Sequence, residues 1–420
     1  MFRNIFWMGL SSVVRLGTAL ILFVLIARHL GPEEFGHYMF WYGTTYLCAL
    51  VAHYGLSNML LKEIAQHPKR VTNILSESLS LRLMLSTAIF LCALGSSIMV
   101  NRPELLLALL LAHLVEIISE TFYVAYRALG HYARESQLAA CAAIVQLTFV
   151  VIAVITNQNA GMIAFAHLTG KVIQLALILP VSKRIFGTFS LQPIYITFKL
   201  AMRSKAYAVD NILASAFGNI DSIILRIYAG VDVVGIYQSG MRLFQGGSQA
   251  APILANVFLP EIARQAVCEK KTPRIKLILQ ISFFGFGLFF GLVLAYFSDQ
   301  IVNFAFGESY SQLATLLPLF GLLFFIRFFA AAWGVILTAT GHQKYRAKST
   351  AIHLVFAIFL GSYFAYNMKA QGWLIALILA NILLGLLYMI HVVRSGSGVS
   401  ATLGTCAMLI GGLFFVPRLL

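Results

Sequence analysis

Charge is what this chain has least of. Only 11% of its 420 residues are Asp, Glu, Lys or Arg, and just 15 are acidic. A soluble domain carries about a quarter charged residues, so the polar surface that a water-facing globule needs is missing. In its place stand a 60% hydrophobic composition and a mean hydropathy of +0.85. The chain is therefore expected to be an integral membrane protein. Its apolar runs are ~20 residues long rather than ~10, which selects helices over barrel strands and predicts an all-α fold. Cysteine is scarce too. Cys48, Cys92, Cys141, Cys268 and Cys406 have no paired spacing. That excludes a disulfide framework or a thiolate metal site, and the thiols are expected as buried packing groups.

Motifs for chemistry are also lacking. No Gly-x4-Gly-Lys loop followed by Ser or Thr is present, so the chain is not an ATP-driven pump on its own. The external loops between apolar runs are all short, so none is large enough to hold a transferase or ligase site, and no Ser/His/Asp or His-Glu-x-x-His cluster occurs in a loop. Catalysis has no support, and no cofactor or metal is called for. The loop at 62–70 lacks the acidic, glycine-flanked pattern of major-facilitator transporters.

What is present is a regular alternation. Hydropathy places spans at about 5–27, 37–60, 77–99, 104–126, 137–156, 160–182, 206–228, 233–260, 275–297, 312–339, 346–366 and 371–392. A thirteenth apolar run, 399–416, is either a span or an interfacial helix. The first run is long and lacks a small-residue cleavage site, so it reads as a retained span. The loops on one side hold 20 Lys or Arg, and those on the other hold four: Arg28, Arg102, Arg226 and Lys369. Basic loops stay cytoplasmic, which puts the N-terminus in the cytoplasm. The net charge of +15 is thus a topology signal, not a nucleic-acid footprint.

Two stretches repeat. Gly31-Pro-Glu-Glu-Phe-Gly36-His-Tyr38 and Gly230-Val-Asp-Val-Val-Gly235-Ile-Tyr237 both read Gly-x-acid-x-x-Gly-x-Tyr. Glu63-Ile-Ala65 returns as Glu261-Ile-Ala263, and Gly130-His131 as Gly341-His342. The offsets are 199, 198 and 211 residues. Matches in one order at nearly one offset indicate a duplicated unit in the same orientation, the parallel-repeat plan of many transporters. The predicted organisation is an N-terminal six-helix bundle plus linker (1–200), a C-terminal six-helix bundle (201–395) and an extra apolar segment (396–420). The repeated motif is expected to be a tight helical corner. Gly31 and Gly230 suit a positive-φ helix end, Pro32 and the acids suit the next helix start, Gly36 and Gly235 suit close helix approach, and Tyr38 and Tyr237 suit the membrane interface.

Ionisable groups at membrane depth are costly and by default mark function. Arg15, Lys171, Arg242 and Arg327 fall near the middle of spans, with Glu116 also at mid-depth, Glu120 a turn towards the cytoplasm and Asp221 nearer the outside. They lie in stripes at helical spacing: Ser11, Arg15, Thr18; His113, Glu116, Glu120, Tyr123, Arg127; His167, Lys171, Gln174; Gln238, Arg242, Gln245, Gln249. One reading is ion pairing that locks the bundle, as of Arg15 or Lys171 with Glu116. The other is a cationic cavity for an anionic head group, because four bases face one clear acid. On the second reading Arg15, Lys171, Arg242, Arg327, Gln238 and Gln245 contact substrate, and Glu116, Glu120 and Asp221 are the candidates for ion coupling. Pro252, behind Gly246-Gly247, and Pro318 interrupt their spans and are candidate hinges.

The residues 27–38 (Ala27-Arg-His-Leu-Gly-Pro-Glu-Glu-Phe-Gly-His-Tyr38), Asp221 with the motif at 230–237 and Met241-Arg-Leu243, and the two Gly-His loops carry a resemblance. Over spans one to twelve the chain resembles the Wzx-type polysaccharide exporters of the MATE-like MOP superfamily. The resemblance implies two six-helix bundles around a central cavity. It implies a flippase, not an enzyme, that moves an undecaprenyl-diphosphate-linked oligosaccharide, such as an O-antigen repeat unit of lipopolysaccharide, to the periplasmic leaflet of a bacterial inner membrane. Its implied partners are that lipid-linked glycan, membrane lipids and the polysaccharide polymerase and chain-length machinery. Two other classes share features. A multidrug-type exporter has the same fold with a more acidic or apolar cavity. A membrane glycosyltransferase or polymerase would need catalytic residues in external loops.

Overall fold

A chain this apolar must satisfy its backbone internally wherever lipid excludes water, and helices do so residue by residue. The computed structural model describes residues 2–216, 219–267, 273–395, 411–412, 414–415 and 417. Among these residues the regular structure is helical, with no strand. The α-helices run in chain order as α1 (Phe2–His53), α2 (Leu56–Gln66), α3 (Val71–Ser96), α4 (Pro103–Ala128), α5 (Tyr132–Ile155), α6 (Ala160–Phe186) and α7 (Ile194–Ala216), then α8 (Ile220–Tyr228), α9 (Val231–Ser248), α10 (Ala250–Val267), α11 (Pro273–Tyr296), α12 (Ser298–Ala305), α13 (Ser311–Ala339) and α14 (Gln343–Arg394).

Among the described residues, eight helical stretches are long and apolar enough to cross a membrane. Two of them, Val14–Gln66 and Gln343–Arg394, are 53 and 52 residues long. The backbone leaves the helix inside each, at Gly31 and at Lys369, so each is a double crossing. With α7–α8 and α9–α10 as interrupted spans, the twelve expected crossings are accounted for. The break between α9 and α10 falls at Gln249. Pro252 has no N–H to give the Ser248 carbonyl, which explains why the ladder fails there.

The chain forms two compact units, Met1–Ile223 and Ile224–Leu420. In the first, α4 is the most buried span, and in the second it is α13. The first unit's core gathers Leu56, Leu60, Leu75, Leu81, Phe122, Tyr126 and Ile178, all fully buried. The second unit's core is aromatic: Phe283, Phe328, Phe329 and Trp333. A joint in the first unit follows α1. Tyr54 and Gly55 both have positive φ, at 50° and 62°. A Cβ on Gly55 would lie 2.0 Å from the Tyr207 carbonyl oxygen, so the residue lets α7 pack directly on the chain.

The duplication is legible in the backbone. Gly31 (φ 73°, ψ 172°) is matched by Gly230 (φ 99°, ψ 171°). Gly130 (φ 76°) is matched by Gly341 (φ 80°), and Asn157 (φ 55°) by Lys369 (φ 52°). The corner motifs are where expected, but their tyrosines are not at an interface. Tyr38 and Tyr237 are both 0% exposed. The Tyr38 hydroxyl lies 3.3 Å from His167 Nδ1, and the Tyr237 hydroxyl accepts from Trp373 Nε1 at 3.2 Å. Each motif is thereby tied to the last span of its own half. A buried phenol needs a polar partner more than it needs a wet boundary.

The cysteines also differ from expectation. Cys48, Cys92 and Cys141 are exposed on helix surfaces. A lipid-facing surface is as apolar as a core, so hydropathy does not separate the two. Cys268 and Cys406 lie outside the described residues. Most of the run 399–416 does too, but Phe415 is buried against Ala295, Phe325 and Ile326. The carbonyl of Phe414 accepts from the Tyr296 hydroxyl at 3.2 Å.

Candidate functional site

The stripes meet in one place. Within the first unit lies a cavity of about 570 Å³, walled by α1, α4, α5, α6 and α7. All five residues of the α4 stripe line it, as do all three of the α6 stripe and Arg15 and Thr18 of α1. Spacing by three and four keeps them on one face of each helix. The Ser11 side chain lies outside the described residues.

Inside the cavity the charges are largely committed. Lys171 Nζ donates to Glu116 Oε1 at 2.8 Å, and His113 Nδ1 is 3.9 Å from the other oxygen. Arg127 Nε lies 3.5 Å from Glu135 Oε1. Glu120 takes His53 Nε2 at 3.0 Å and the Ser57 hydroxyl at 3.0 Å. Asn211 lies 3.1 Å from His53 Nδ1 and so turns its other nitrogen to the carboxylate. Behind this group Arg82 is fully buried. Its guanidinium donates to the Ile117 carbonyl and Thr121 Oγ1, both at 2.7 Å, and to Ser57 Oγ at 3.1 Å. Arg15 alone among the basic lining residues is exposed and makes no side-chain hydrogen bond or ion pair with a described residue.

The described lining holds three bases, Arg15, Arg127 and Lys171, and three acids, Glu116, Glu120 and Glu135. Of the mid-depth charges singled out in the sequence, Arg15, Lys171 and Glu116 line this cavity. The ion-pair reading applies to Lys171 and Glu116, because an ammonium taken out of water is costly unless a partner meets it.

Tyr42 and Tyr46 of α1 and Gln146 of α5 also line the cavity, and sequence reasoning did not single them out. Tyr42 packs edge-on to His113 and Phe23, with ring centroids 4.7 and 5.3 Å apart, and Tyr46 packs on His113 at 5.5 Å. Gln146 Nε2 lies 3.1 Å from His167 Nε2. The spacing Tyr38, Tyr42, Tyr46, His53 keeps one helix face and was the available signal.

The remaining predicted residues are elsewhere. Asp221, in the first turn of α8, is buried and accepts from the Ser222 amide at 2.8 Å. In the second unit Arg242 Nη1 donates to Gln245 Oε1 at 3.1 Å, and Gln238 is buried one turn earlier. Arg327 Nη1 donates to Asn381 Oδ1 at 3.2 Å, across α13 and α14. None of these five lines the cavity of the first unit. Among the described residues no three His, Cys, Asp or Glu are grouped to hold a metal ion.

A family model described as "Polysaccharide biosynthesis protein" matches residues 1–266, which include the whole cavity lining. No curated protein matches the chain. Among solved structures it is similar to the lipid II flippase MurJ in an inward closed conformation, with a TM-score of 0.76 at 12% identity, over 97% of this chain and 91% of that one. It is similar to an outward-facing multidrug resistance MATE family transporter of the MOP superfamily, with a TM-score of 0.61 at 15% identity, over 99% and 96% of the two chains. A MOP superfamily transporter from Pyrococcus furiosus, described by the reverse polarity of its binding pocket, gives a TM-score of 0.63 at 16% identity, over 92% and 94%. At such identities the likeness is one of fold: an all-α, MATE-like membrane protein.

Proposed function

Because the chain belongs to the polysaccharide biosynthesis protein family, we propose that it is a flippase for an undecaprenyl-diphosphate-linked oligosaccharide. The observation that carries this reading is the polar cavity of about 570 Å³, walled by five helices of the first unit. Lipid-facing helices do not spend so many polar groups on structure alone. The glycan would travel through such a compartment while its polyprenyl tail stays in lipid. Transfer runs from the cytoplasmic to the periplasmic leaflet of a bacterial inner membrane, with the N-terminus cytoplasmic. The 20-to-four bias of Lys and Arg between the two sets of loops supports that orientation. Exchange proceeds by alternating access.

In this reading Arg15, Lys171, Arg242, Arg327, Gln238 and Gln245 are proposed to contact substrate. Arg327 donates to the neutral amide of Asn381, which leaves its charge without a neutralising acid at that contact. Glu116, Glu120 and Asp221 are proposed for ion coupling, and the polymerase and chain-length machinery as partners. The test is reconstitution into liposomes with labelled diphosphate-linked oligosaccharides. Leaflet exchange above that of empty liposomes is expected. Exchange no faster than in empty liposomes across several glycans, with efflux of small cationic drugs instead, would replace this reading with a multidrug-type exporter.

A further inference from the structure

The cavity of the first unit is the wrong environment for a diphosphate. Its lysine is already held by Glu116 at 2.8 Å, and Arg127 is taken up by Glu135. The Glu116 and Glu120 side chains keep 43% and 34% of their surface exposed. An anionic group reaching for Lys171 would have to displace the Glu116 carboxylate and then lie beside it. Like charges brought together in this way repel, which disfavours entry of an anion. Among the described lining residues Arg15 is the one base without a side-chain hydrogen bond or ion pair, whereas Glu116 and Glu120 remain partly exposed beside their partners.

A neutral, hydroxyl-rich group meets no such cost. Carboxylate oxygens accept from hydroxyls, and the amides of Gln146 and Gln174 both donate and accept. The rings of Tyr42 and Tyr46 supply flat apolar faces for the C–H side of a sugar ring. A concave site with aromatic walls and a few convergent polar groups is how a polar small molecule is oriented.

We propose that this cavity is a sugar-reading compartment, which takes the uncharged part of the glycan and excludes its diphosphate. The substrate class rests on the flippase reading above. The exclusion of phosphate rests only on the charge pairing within the first unit. In this arrangement the Glu116–Lys171 pair is a specificity determinant: the carboxylate keeps the lysine from recruiting anions.

The experiment uses the full chain in nanodiscs, in a cysteine-free background with Ala19→Cys, an exposed position on the cavity wall. Maleimide labelling at that position is timed with sodium pyrophosphate, and separately with a panel of uncharged oligosaccharides of hexoses and N-acetylhexosamines. Ionic strength is matched throughout. At least one sugar should slow labelling by about threefold or more, while pyrophosphate changes it by less than about 1.5-fold. Adding Glu116→Gln should release Lys171 and create protection by pyrophosphate. Protection by pyrophosphate without that substitution overturns the proposal, and so does a panel in which no sugar protects. Leaflet exchange is read separately on the same protein. Sugar protection without exchange would remove the flippase and leave the sugar site, whereas exchange with pyrophosphate protection would do the reverse.

Discussion

Lys369 occupies a backbone conformation that suits glycine. Its φ of 52° and ψ of −132° bring Cβ against the backbone where the two limbs of α14 meet. Such a residue stores ~1–3 kcal/mol, of which glycine would give back ~0.5–1 as extra unfolded-state entropy. Lys369→Gly should therefore stabilise the protein by about 1 kcal/mol, seen as a rise of about 2 °C or less in a chain this long. Thermal unfolding in detergent, followed by near-UV circular dichroism, checks it; an unchanged or lower midpoint would mean the lysine is not strained. Asn157→Gly, at the matching turn, should change less, because asparagine tolerates positive φ. The sequence carried Gly31 and Gly230 as visible glycine signals, but a lysine in the same role leaves none. Arg82 was also opaque. Near a span end it reads as a side chain that snorkels, yet the structure buries it with three hydrogen bonds inside the first unit.

At the scale of elements, the two corner motifs act as brackets that fasten the second span of each half to its sixth. Removing the phenol oxygen should show it. Tyr38→Phe and Tyr237→Phe each remove a buried hydroxyl and with it the contact to His167 or Trp373, at a cost of at least about 1 kcal/mol. They lie in separate units, so their effects on thermal stability should add. Strong non-additivity in the double variant would mean the two halves are coupled through these corners. A second element-scale contact bridges α4 and α6. Lys171→Met leaves Glu116 without its cation and should cost about 2–3 kcal/mol, below the ~3–5 of a fully buried pair, because the carboxylate keeps access to the cavity. Glu116→Gln with Lys171→Met should recover most of that loss. If the double variant is as unstable as the single one, the pair does not hold the helices together. Helical periodicity predicted which residues share this cavity, because every described side chain of the α4 and α6 stripes lines it. It offered Arg15 or Lys171 as the partner of Glu116 without choosing between them. That depends on the distance between helices, which no single-helix pattern contains.

For the whole molecule, composition and apolar run length made the all-α membrane class legible. The Arg127–Glu135 pair was not legible, because its acid comes from the neighbouring α5, whereas Lys171 with Glu116 was one of the pairings the sequence offered. This matters for energetics. A carrier that bound its diphosphate through many free cations would move a nearly neutral complex, and the membrane potential would act on it weakly. If the first unit's cavity holds only the uncharged sugars, the phosphate charge is cancelled by few groups and the potential acts on it more fully. Each uncompensated negative charge moved outward gains ~2.3 kcal/mol per 100 mV of inside-negative potential. Outward exchange in liposomes should then accelerate when a potassium diffusion potential is made negative inside, and slow when its sign is reversed. The same gradient without ionophore should have no effect. In Glu116→Gln, where Lys171 is released to accompany the phosphate, the voltage dependence should become shallower. A voltage dependence that is absent in the wild type, or unchanged by that substitution, would mean the translocated complex is neutral and its compensating cations lie outside this cavity.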